Sequence, residues 1–520
     1  STFTGSNSST QSADEIIAHV CKDVYIGNRS DDEIDFDSIY DTAAAIKSHF
    51  ANDLAGEFNY TFDSKDISFE ETLAIIAKAV FATAYREAKE IKLRFEQPTE
   101  ISTLLFNHRN ILPRSESRTV RFGRNGRKDG VEVEWFDEDG KSFSETIPQG
   151  TTAVNPLSLQ LVGVTNRSVA LWLAWRAWYK LLNQNTAVEF QCTQEAALLL
   201  SGDRILVSDT TRQDTIEGEI TDQVGLVITC SQDITLDAGT DYMIFLQHYD
   251  GSVESMSVTK GSVEANQVTL GQAPKLTLVT DLSNYARATF IIVIDDDIRA
   301  DAYLTTQKNN DSFFTYSLQA INYDPLYYAA DGIALWIPMF TDSITDTAGD
   351  QHDLTNNGMG AVSEDATRLK PVIENSGATD DITVATTFTS PDDYTKMIWY
   401  FRSGTGTCNL ISSLNGTSDV LRYNSSNVEV VHDSTVVATF AAPAIDEWHH
   451  IAVTYDATSQ DLALYIDGVS VATASSVAQR VRGQILIAEN LDGRVDDIRV
   501  YGRPLSAKEI NAAYKESNVS

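Results

Sequence analysis

Residues 166–185 read NRSVALWLAWRAWYKLLNQN, and the rest of the chain is interpreted around this stretch. Its tryptophans and leucines recur at intervals of three and four residues, which is typical of the apolar face of a helix. Thr165 or Asn166 can cap the start, because a side-chain oxygen there accepts a free backbone N–H. Arg176 and Lys180 interrupt the apolar run, which is too short to span a membrane. The sequence therefore predicts a structural core helix.

The composition excludes several classes of partner. The chain has 520 residues, of which 74 are acidic and 39 are Lys or Arg, giving a formal net charge of −35. DNA, RNA and anionic membranes would repel this charge, so we expect none of them as partners. The cysteines, Cys21, Cys192, Cys230 and Cys408, form no CxxC pair, so neither a zinc site nor a disulfide framework is expected. We also expect no signal peptide and no membrane span.

The first part of the chain mixes helical and strand patterns. Helices are predicted over Ala13–Tyr25, over Asp37–Phe50, and from a Ser68–Glu71 capping box to about Arg86. Strands are predicted over Ile91–Glu96, Ser117–Phe122, Gly130–Phe136, Thr186–Cys192 and Arg204–Ser208, with turns at 123–126, 137–140 and 201–203. This pattern indicates a flexible arm over 1–12 and an α+β region over 13–220.

The second part is rich in strands. Short strands separated by Gly, Asp and Asn are predicted over Val224–Thr229, Tyr242–Gln247, Val253–Val258, Gln267–Leu270, Thr289–Ile294 and Phe313–Tyr323. They indicate a small β-barrel or sandwich insert within a β-rich region over 221–330. The composition changes at 329–332, and residues 333–503 read as an all-β sandwich. A helix over Ser506–Tyr514 ends this last domain, 331–520. The fold class is therefore multidomain, with α+β domains followed by an all-β domain.

Motifs in the last domain follow one another in a characteristic order. Residues 448–456 read WHHIAVTYD, residues 464–469 read LYIDGV, and residues 493–505 read GRVDDIRVYGRPL, after an acidic loop DTAGD at 346–350. Together they resemble the laminin-G-like, concanavalin-A-type jelly roll. The hydrophobic alternation and the Asp-Gly hairpin at 467–468 agree with this fold, and no catalytic motif accompanies them.

A second resemblance covers residues 13–330. Its ordered features are the helix at 13–25, the capped helix at Ser68, the strand VEVEW at 131–135, the helix at 167–182, the turn GDRILV at 202–207, a β insert, and FFTYSLQA at 313–320. In this order they resemble the hub region of the tail-tip (host-specificity) proteins of long, non-contractile-tailed bacteriophages. The resemblance implies a homotrimer on the tail axis, contacts with other tail proteins, and a virion tail-tip location after assembly in the host cytoplasm. It also implies further hub domains before Ala13, so we expect a fragment or one part of a split hub.

An acidic run at 33–37, EIDFD, is similar to the Glu-x-Asp-x-x-Glu strand of concanavalin-type glycanases but lacks its final Glu. Retaining glycosidases need two carboxyl groups about 5–5.5 Å apart. The run also lies outside the sandwich domain. We therefore expect a solvated acidic loop before a helix, and no enzymatic activity.

Asp496 is a candidate metal ligand. Strand alternation places it on the same face as Ile498 and Val500, and an inward carboxylate there needs compensation. Backbone N–H groups of the loop near Asp346 would supply it. The alternative is a structural calcium ion held by Asp346, Asp350 and Asp496, since jelly rolls of this resemblance often hold calcium. The sequence leaves both arrangements open.

Two further groups are candidates for binding. His449 and His450 are adjacent on a predicted strand and point to opposite faces, so we expect packing or hydrogen bonding and not a shared metal. The same alternation is interpreted as placing Trp399 and Phe401 on the core face and Tyr400 outward. No sugar site is therefore assigned to these rings.

These inferences favour a structural and adhesive protein. It would be a phage tail-tip hub that closes the tail end and presents a lectin-like domain to a host-surface receptor, expected to be a glycan. The alternative is a secreted glycan-active enzyme or adhesin with a laminin-G-like accessory carbohydrate-binding module. The missing carboxylate pair and the missing export signal favour the first interpretation.

Overall fold

The computed structural model describes residues 10–62, 67–99, 102–107, 110–121, 128–149, 152–208, 216–237, 241–261, 263–282, 287–294, 302–312, 314–339, 344–349, 351–362, 365, 367–368, 370–376, 380–386, 388, 391–414, 416–424 and 426–518. Residues 1–9 of the predicted arm at 1–12, the predicted turn at 123–126 and Asp350 lie outside these residues. The chain forms two compact units. The first is Ser1–Glu96, Lys128–Tyr179 and Leu326–Ser520, and the second is Gln97–Arg127 and Lys180–Pro325. The linear domain boundaries stay a prediction.

The described residues are mostly β-structure. The helices are α1 Ala13–Lys22, α2 Phe36–Phe50, α3 Phe69–Ala79, α4 Arg167–Asn183 and α5 Ala507–Asn518. The strands up to residue 322 are β1 Ala82–Glu87, β2 Glu90–Phe95, β3 Leu104–Phe106, β4 Ser117–Val120, β5 Val131–Phe136, β6 Ser142–Ile147, β7 Leu157–Gln160, β8 Thr186–Cys192, β9 Arg204–Val207, β10 Ile216–Val224, β11 Val227–Cys230, β12 Tyr242–Gln247, β13 Val253–Thr259, β14 Gln267–Leu270, β15 Thr289–Ile294, β16 Ala302–Ser312 and β17 Thr315–Asn322. Within the described ranges, no helix is long and apolar enough to cross a membrane.

The later strands all belong to the first unit. They are β18 Ile333–Ile337, β19 Leu354–Asn357, β20 Gly360–Val362, β21 Val372–Ser376, β22 Asp381–Val384, β23 Tyr394–Arg402, β24 Cys408–Ser413, β25 Asp419–Asn424, β26 Asn427–His432, β27 Thr435–Ala441, β28 Trp448–Asp456, β29 Asp461–Ile466, β30 Val469–Ala474, β31 Ile485–Glu489 and β32 Asp492–Tyr501.

These strands form a sandwich of two antiparallel sheets. One sheet has the order β20-β21-β32-β23-β28-β29-β30, with β18 also paired to β32, and the other has the order β19-β22-β31-β24-β25-β26-β27. Their inner faces share a core that includes Leu335, Tyr400, Tyr423 and Ile487. The predicted sandwich is confirmed. The Ser506 cap is confirmed too, because its hydroxyl accepts the Glu509 N–H at 3.3 Å at the start of α5.

The second unit contains a closed barrel with the strand order β10-β11-β14-β13-β12-β15. A closed barrel exposes no sheet edge, and apolar side chains such as Ile244 and Phe290 fill its interior. The predicted β-barrel insert is confirmed. The single strand predicted over Val224–Thr229 is wrong, because Gly225 adopts a φ of +63° and turns the chain between β10 and β11. A further sheet in this unit has the order β3-β9-β16-β17-β8-β4.

The helix predicted from Ser68 to about Arg86 is shorter than expected. Its capping box is present, with the Glu71 N–H donating to the Ser68 hydroxyl at 3.2 Å. The helix ends at Ala79, and Phe81 then takes a φ of +58° in the left-handed region, which a helix cannot continue through. The following residues form β1, which pairs antiparallel with β2. The second half of that helix prediction is therefore wrong.

Helix α4 confirms the predicted core helix. The Asn166 side-chain oxygen accepts the Ser168 N–H at 2.8 Å, as expected of a cap. Trp172, Trp175 and Trp178 are all buried. Burial of three indole rings explains why this helix is apolar on more than one side.

Arg176, which interrupts the apolar run, lies at the centre of this packing. Its guanidinium donates to both Asp331 carboxylate oxygens, at 2.8 and 2.6 Å, and to the Glu96 carbonyl at 2.8 Å. The surrounding rings are those of Phe50, Phe81, Phe95 and Tyr328, with centroids 4.7–5.9 Å from the guanidinium carbon. We call Arg176, Asp331 and these rings the Arg176 cluster. A buried arginine is tolerated here because its charge is paired and hydrogen-bonded. The cluster joins α2, the β1–β2 hairpin and α4 to the chain entering the sandwich.

Candidate functional site: an aromatic pocket on the sandwich

One irregularity in β32 decides which side chains reach the outer face of its sheet. Asp497 has a φ of +45°, and the pairing of β32 with β23 shifts register beside it. Such a bulge reverses the alternation of side chains along a strand. Val495 therefore lies in the sandwich core with Ile498 and Val500, and Asp496 lies on the other face. The predicted placement of Asp496 on the face of Ile498 and Val500 is wrong for this reason.

The neighbouring strand β23 also faces the opposite way from the prediction. Tyr400 is fully buried in the sandwich core. Trp399 lies on the outer face, where its ring stacks on Tyr514 of α5 with centroids 5.5 Å apart. Phe401 is partly exposed on the same side. The predicted assignment of the two faces of β23 is therefore wrong. Nearly all side chains of this strand are buried, so its two faces look alike in sequence.

The outward rings of β23 form part of a pocket. Its volume is about 340 Å³. Its walls are Trp399, Phe401, Trp448 and Tyr514, together with the polar side chains of Thr367, Arg368, Asp446, Glu447, His449 and Asp467. We call this the aromatic pocket. A concave site with apolar walls and a few polar groups is the usual form of a small-ligand site.

Arg368 is the buried wall of the aromatic pocket. Its guanidinium carbon lies 4.1 Å from the centroid of the Trp399 ring and 5.6 Å from that of Trp448. Two of its nitrogens donate to one oxygen of Asp496, at 3.0 and 2.7 Å, and Lys370 Nζ lies 3.0 Å from the same oxygen. Burial raises the pKa of the Asp496 carboxyl, and the two cations oppose that rise. Asp496 therefore holds the wall of the pocket in place.

Two of the three residues predicted to bind calcium, Asp346 and Asp496, have other partners. Asp346 accepts the backbone N–H groups of Trp336, Ala348 and His352, each at 2.9 Å. The compensation for Asp496 comes from two cations that the sequence analysis did not consider, and they would repel Ca²⁺. Within the described ranges, no group of three or more His, Cys, Asp or Glu side chains could hold a metal ion. These contacts do not favour an ion shared by Asp346 and Asp496. With Asp350 outside the described residues, calcium binding stays a prediction.

The Asp467-Gly468 turn anchors one rim of the pocket. Asp467 and Gly468 have φ values of +51° and +77°, as the predicted tight hairpin requires. The Asp467 carboxylate lies 2.8 Å from His449 Nδ1 and accepts the His450 N–H at 2.8 Å. His449 and His450 pair with Tyr400 and Trp399 respectively, so their predicted opposite orientation is confirmed. Burial lowers the pKa of His450 to about 4, which keeps its ring neutral near pH 7.

Asp446 and Glu447 form the other rim, immediately before β28. Both are exposed. Within the described residues, no hydrogen bond or ion pair involves the Asp446 carboxylate, and a Glu447 carboxylate oxygen lies 3.9 Å from His449 Nε2. Asp446 has a φ of +63°, and its backbone N–H donates to the Arg402 carbonyl at 2.9 Å. The rim therefore holds two carboxylates at the mouth of the pocket that are available to a ligand.

Three residues of the pocket were not predicted from the sequence as site residues: Arg368, Trp448 and Tyr514. Trp448 stands in the motif WHHIAVTYD, where a tryptophan at the start of a strand beside two acidic residues could have indicated a rim position. Tyr514 shares a helical face with residues that pack on the sheet, and no local pattern sets it apart. Arg368 is 128 residues from its partner Asp496, so nothing in the local sequence links them.

Comparison with protein-family models gives a match within the jelly-roll sandwich. Residues 365–511 match the family model of the concanavalin A-like lectin/glucanases superfamily. Similar solved structures include the binding domain of Paraclostridial Mosquitocidal Protein 1, with 18% identity and a TM-score of 0.30 over 36% of this chain and 52% of that chain. The receptor binding domain of botulinum neurotoxin D has 14% identity and a TM-score of 0.31 over 36% and 52%. Domain 4 of AbnA, a GH43 extracellular arabinanase from Geobacillus stearothermophilus, in complex with arabinotriose, has 13% identity and a TM-score of 0.30 over 34% and 96%.

The match covers about half the length of the first two of these structures. Comparison with curated proteins finds no match. The family match and the two-sheet sandwich agree with the resemblance inferred from residues 448–456, 464–469 and 493–505. Residues 365–511 are therefore a laminin-G-like, concanavalin-A-like jelly-roll domain.

Proposed function

We propose that this chain recognises a carbohydrate of a host surface through the aromatic pocket, as a tail-tip hub protein that closes the tail of a long non-contractile-tailed bacteriophage. The observation that carries carbohydrate recognition is the pocket itself, in which four aromatic rings and several charged side chains converge. The tail-tip role rests on the ordered sequence resemblance over residues 13–330. The family match over residues 365–511 supports a lectin-like role for the jelly roll.

The chemistry of the pocket suits a sugar ring. A pyranose has an apolar C–H face and a rim of hydroxyl groups, and an aromatic ring packs well against the first. Trp448 and Phe401, with centroids 5.8 Å apart and planes inclined by 56°, present two such surfaces. Asp446 and Glu447 can accept hydrogen bonds from the hydroxyl groups. The volume of about 340 Å³ is near the lower end of ligand sites, which fits a short segment of a glycan.

The same geometry gives no support to glycoside hydrolysis. Asp467 is engaged by His449 and by the start of β28, and Asp446 and Glu447 are adjacent residues on one rim. A glycosidase needs two carboxyl groups on opposite sides of the scissile bond. We propose a binding function without a catalytic step.

Replacing Trp448 by alanine should weaken glycan binding by tenfold or more, about 1.4 kcal/mol, because the ligand loses one apolar wall. The measurement is binding of the full chain to an array of bacterial surface glycans, followed by titration calorimetry with the best ligand. Phe440→Ala is the matched control, since Phe440 is an exposed ring on the other sheet of the sandwich. Unchanged binding by a folded Trp448→Ala protein would place the glycan site elsewhere.

The tail-tip role makes a separate prediction. Gold-labelled antibody against this chain should mark the free end of the tail in electron micrographs of phage particles. A reconstruction should show three copies around the tail axis, as the hub resemblance implies. Label on the capsid, or a copy number other than three, would contradict the corresponding part of the proposal.

A further inference from the structure

We infer that the glycan bound in the aromatic pocket carries a positive charge, and that it is an amino sugar with a free ammonium group. This inference rests on the proposed function and adds the chemical class of the ligand. It is drawn from the charges and rings of the pocket together.

The charges that line the pocket are predominantly negative. Asp446, Glu447 and Asp467 contribute carboxylates, while Arg368 contributes the permanent positive charge. The Arg368 guanidinium is already ion-paired with Asp496 at 2.7 Å and is almost fully buried. The electrostatic potential at the mouth of the pocket is therefore expected to be set mainly by the rim carboxylates and to be negative.

Asp446 and Glu447 are suited to a ligand because neither carboxylate makes a hydrogen bond within the described residues, and the 3.9 Å contact of Glu447 with His449 Nε2 is long. Asp467 holds the hairpin, whereas Asp446 contributes only its backbone to the local structure. Within the described residues, these two side chains do not belong to any group of three or more His, Cys, Asp or Glu that could hold a metal ion. Two exposed carboxylates on adjacent residues that line a pocket can instead pair with an organic cation.

The rings of the pocket already accept cations from the protein itself. Arg368 lies over Trp399, and Arg494 lies over Phe401 with its guanidinium carbon 5.3 Å from the ring centroid. Arg494 is ion-paired with Asp365 at 2.7 Å, as Arg368 is with Asp496. A cation over an aromatic face with a carboxylate beside it is thus a repeated arrangement here. Trp448 is partly exposed and lines the same pocket as Asp446 and Glu447, so a ligand cation there could contact a ring and a carboxylate together.

The net negative charge of the whole chain also favours a cationic ligand over an anionic one. A net charge of −35 raises the energy of any anionic polymer that approaches, at least within the screening distance of about 8–10 Å. Uronic acids and sialic acids would be repelled both by the net charge of the chain and by the carboxylates of the rim. A protonated amino sugar would be attracted by both.

The test uses three oligosaccharides of equal length with the full chain. They are a β-1,4 glucosamine tetramer, its fully N-acetylated form, and a galacturonic acid tetramer, titrated by calorimetry at about pH 6, where an aliphatic amine is protonated. The glucosamine tetramer should bind about tenfold or more tightly than the N-acetylated form, and the acidic tetramer should not bind. Added salt should reduce the preference, because the rim carboxylates are exposed.

Asp446→Asn with Glu447→Gln should remove the preference and leave the protein folded, since both side chains are exposed. Asp461→Asn is the matched control. It removes one exposed carboxylate from the far end of β28 and β29, where Asp461 pairs with Asp456. The control should keep the full preference.

Equal or tighter binding of the N-acetylated or acidic tetramer would overturn this inference. A preference that survives in the double variant, or failure of the glucosamine tetramer to bind, would do the same. Trp448-dependent binding of a neutral glycan would in that case leave the proposed function standing. Loss of the proposed function itself would appear as the absence of Trp448-dependent binding across the whole glycan array.

Discussion

Replacing Asp419 by alanine should reduce the free energy of unfolding of the jelly roll by about 3–5 kcal/mol, because two buried cations would lose their shared counter-charge. Lys396 Nζ lies 2.5 Å from one Asp419 oxygen, and Arg480 Nε lies 2.9 Å from the other. All three side chains are buried, and Lys396 on β23 and Asp419 on β25 connect the two sheets of the sandwich. Burial lowers the pKa of Lys396 to about 8, which shows how weakly this site tolerates an uncompensated ammonium.

Urea unfolding of the full chain, followed by tryptophan fluorescence, would measure this loss. Lys396→Met should cost less, since Asp419 then keeps Arg480 as its partner. Exposed Asp461→Asn should change the unfolding free energy by less than about 0.5 kcal/mol. If Asp419→Ala proves no more damaging than Lys396→Met, the shared carboxylate does not hold the two sheets together as described.

Replacing Asp331 by alanine should also reduce the free energy of unfolding by about 3–5 kcal/mol, because it leaves Arg176 charged and buried among the rings of the Arg176 cluster. His49 would lose its contact too, since His49 Nε2 lies 3.1 Å from an Asp331 oxygen. Thermal unfolding of the full chain would measure the change. Arg176→Met with Asp331→Leu should recover much of the loss by replacing the pair with apolar side chains. If the double variant is as unstable as Asp331→Ala, the unpaired charge is not the cause.

The same cluster predicts a direction for acid unfolding. Burial raises the pKa of Asp331, but Arg176 and His49 outweigh it and lower this pKa from its ordinary value of 3.8 to about 2. Its contribution to stability is therefore present above about pH 4 and is lost as the pH falls towards 2. Burial lowers the pKa of His49 as well, so the unfolded state takes up its proton first and stability also falls below about pH 6.5. In the Asp331→Ala variant, the decrease in the free energy of unfolding between pH 4 and pH 2 should be smaller than in the unmodified protein.

Regular periodicity made much of the fold predictable. Helix α4, the barrel strands β12 and β14, and the hairpin at Asp467 follow from local patterns that the structure repeats almost residue for residue. The end of α3 was not predictable in this way, because residues 80–86 are compatible with a helix and only pairing with β2 makes them a strand. Long-range pairing prevailed over local preference there.

The pocket was much less predictable than the fold. Its shape depends on the bulge at Asp497, which no sequence pattern predicts. It also depends on which face of β23 points outward, and the sequence does not show this because both faces are apolar. Its buried wall depends on the pairing of Arg368 with Asp496, which are far apart in the chain. The sequence contained the site residues, but only the sheet register decides which of them meet.

The Arg176 cluster also bears on where the jelly roll can be separated from the rest of its unit. Asp331 lies two residues before β18, and Trp336 of β18 packs against Trp175 with ring centroids 4.7 Å apart. A recombination junction at residue 333 would separate the jelly roll from Asp331 and from helix α4, exposing an indole ring and leaving Arg176 without its counter-charge. The freed tryptophan surface would favour self-association of the separated domain. A functional exchange of the jelly roll between two proteins would therefore have to transfer both sides of this junction together, or preserve the cluster residues in each parent.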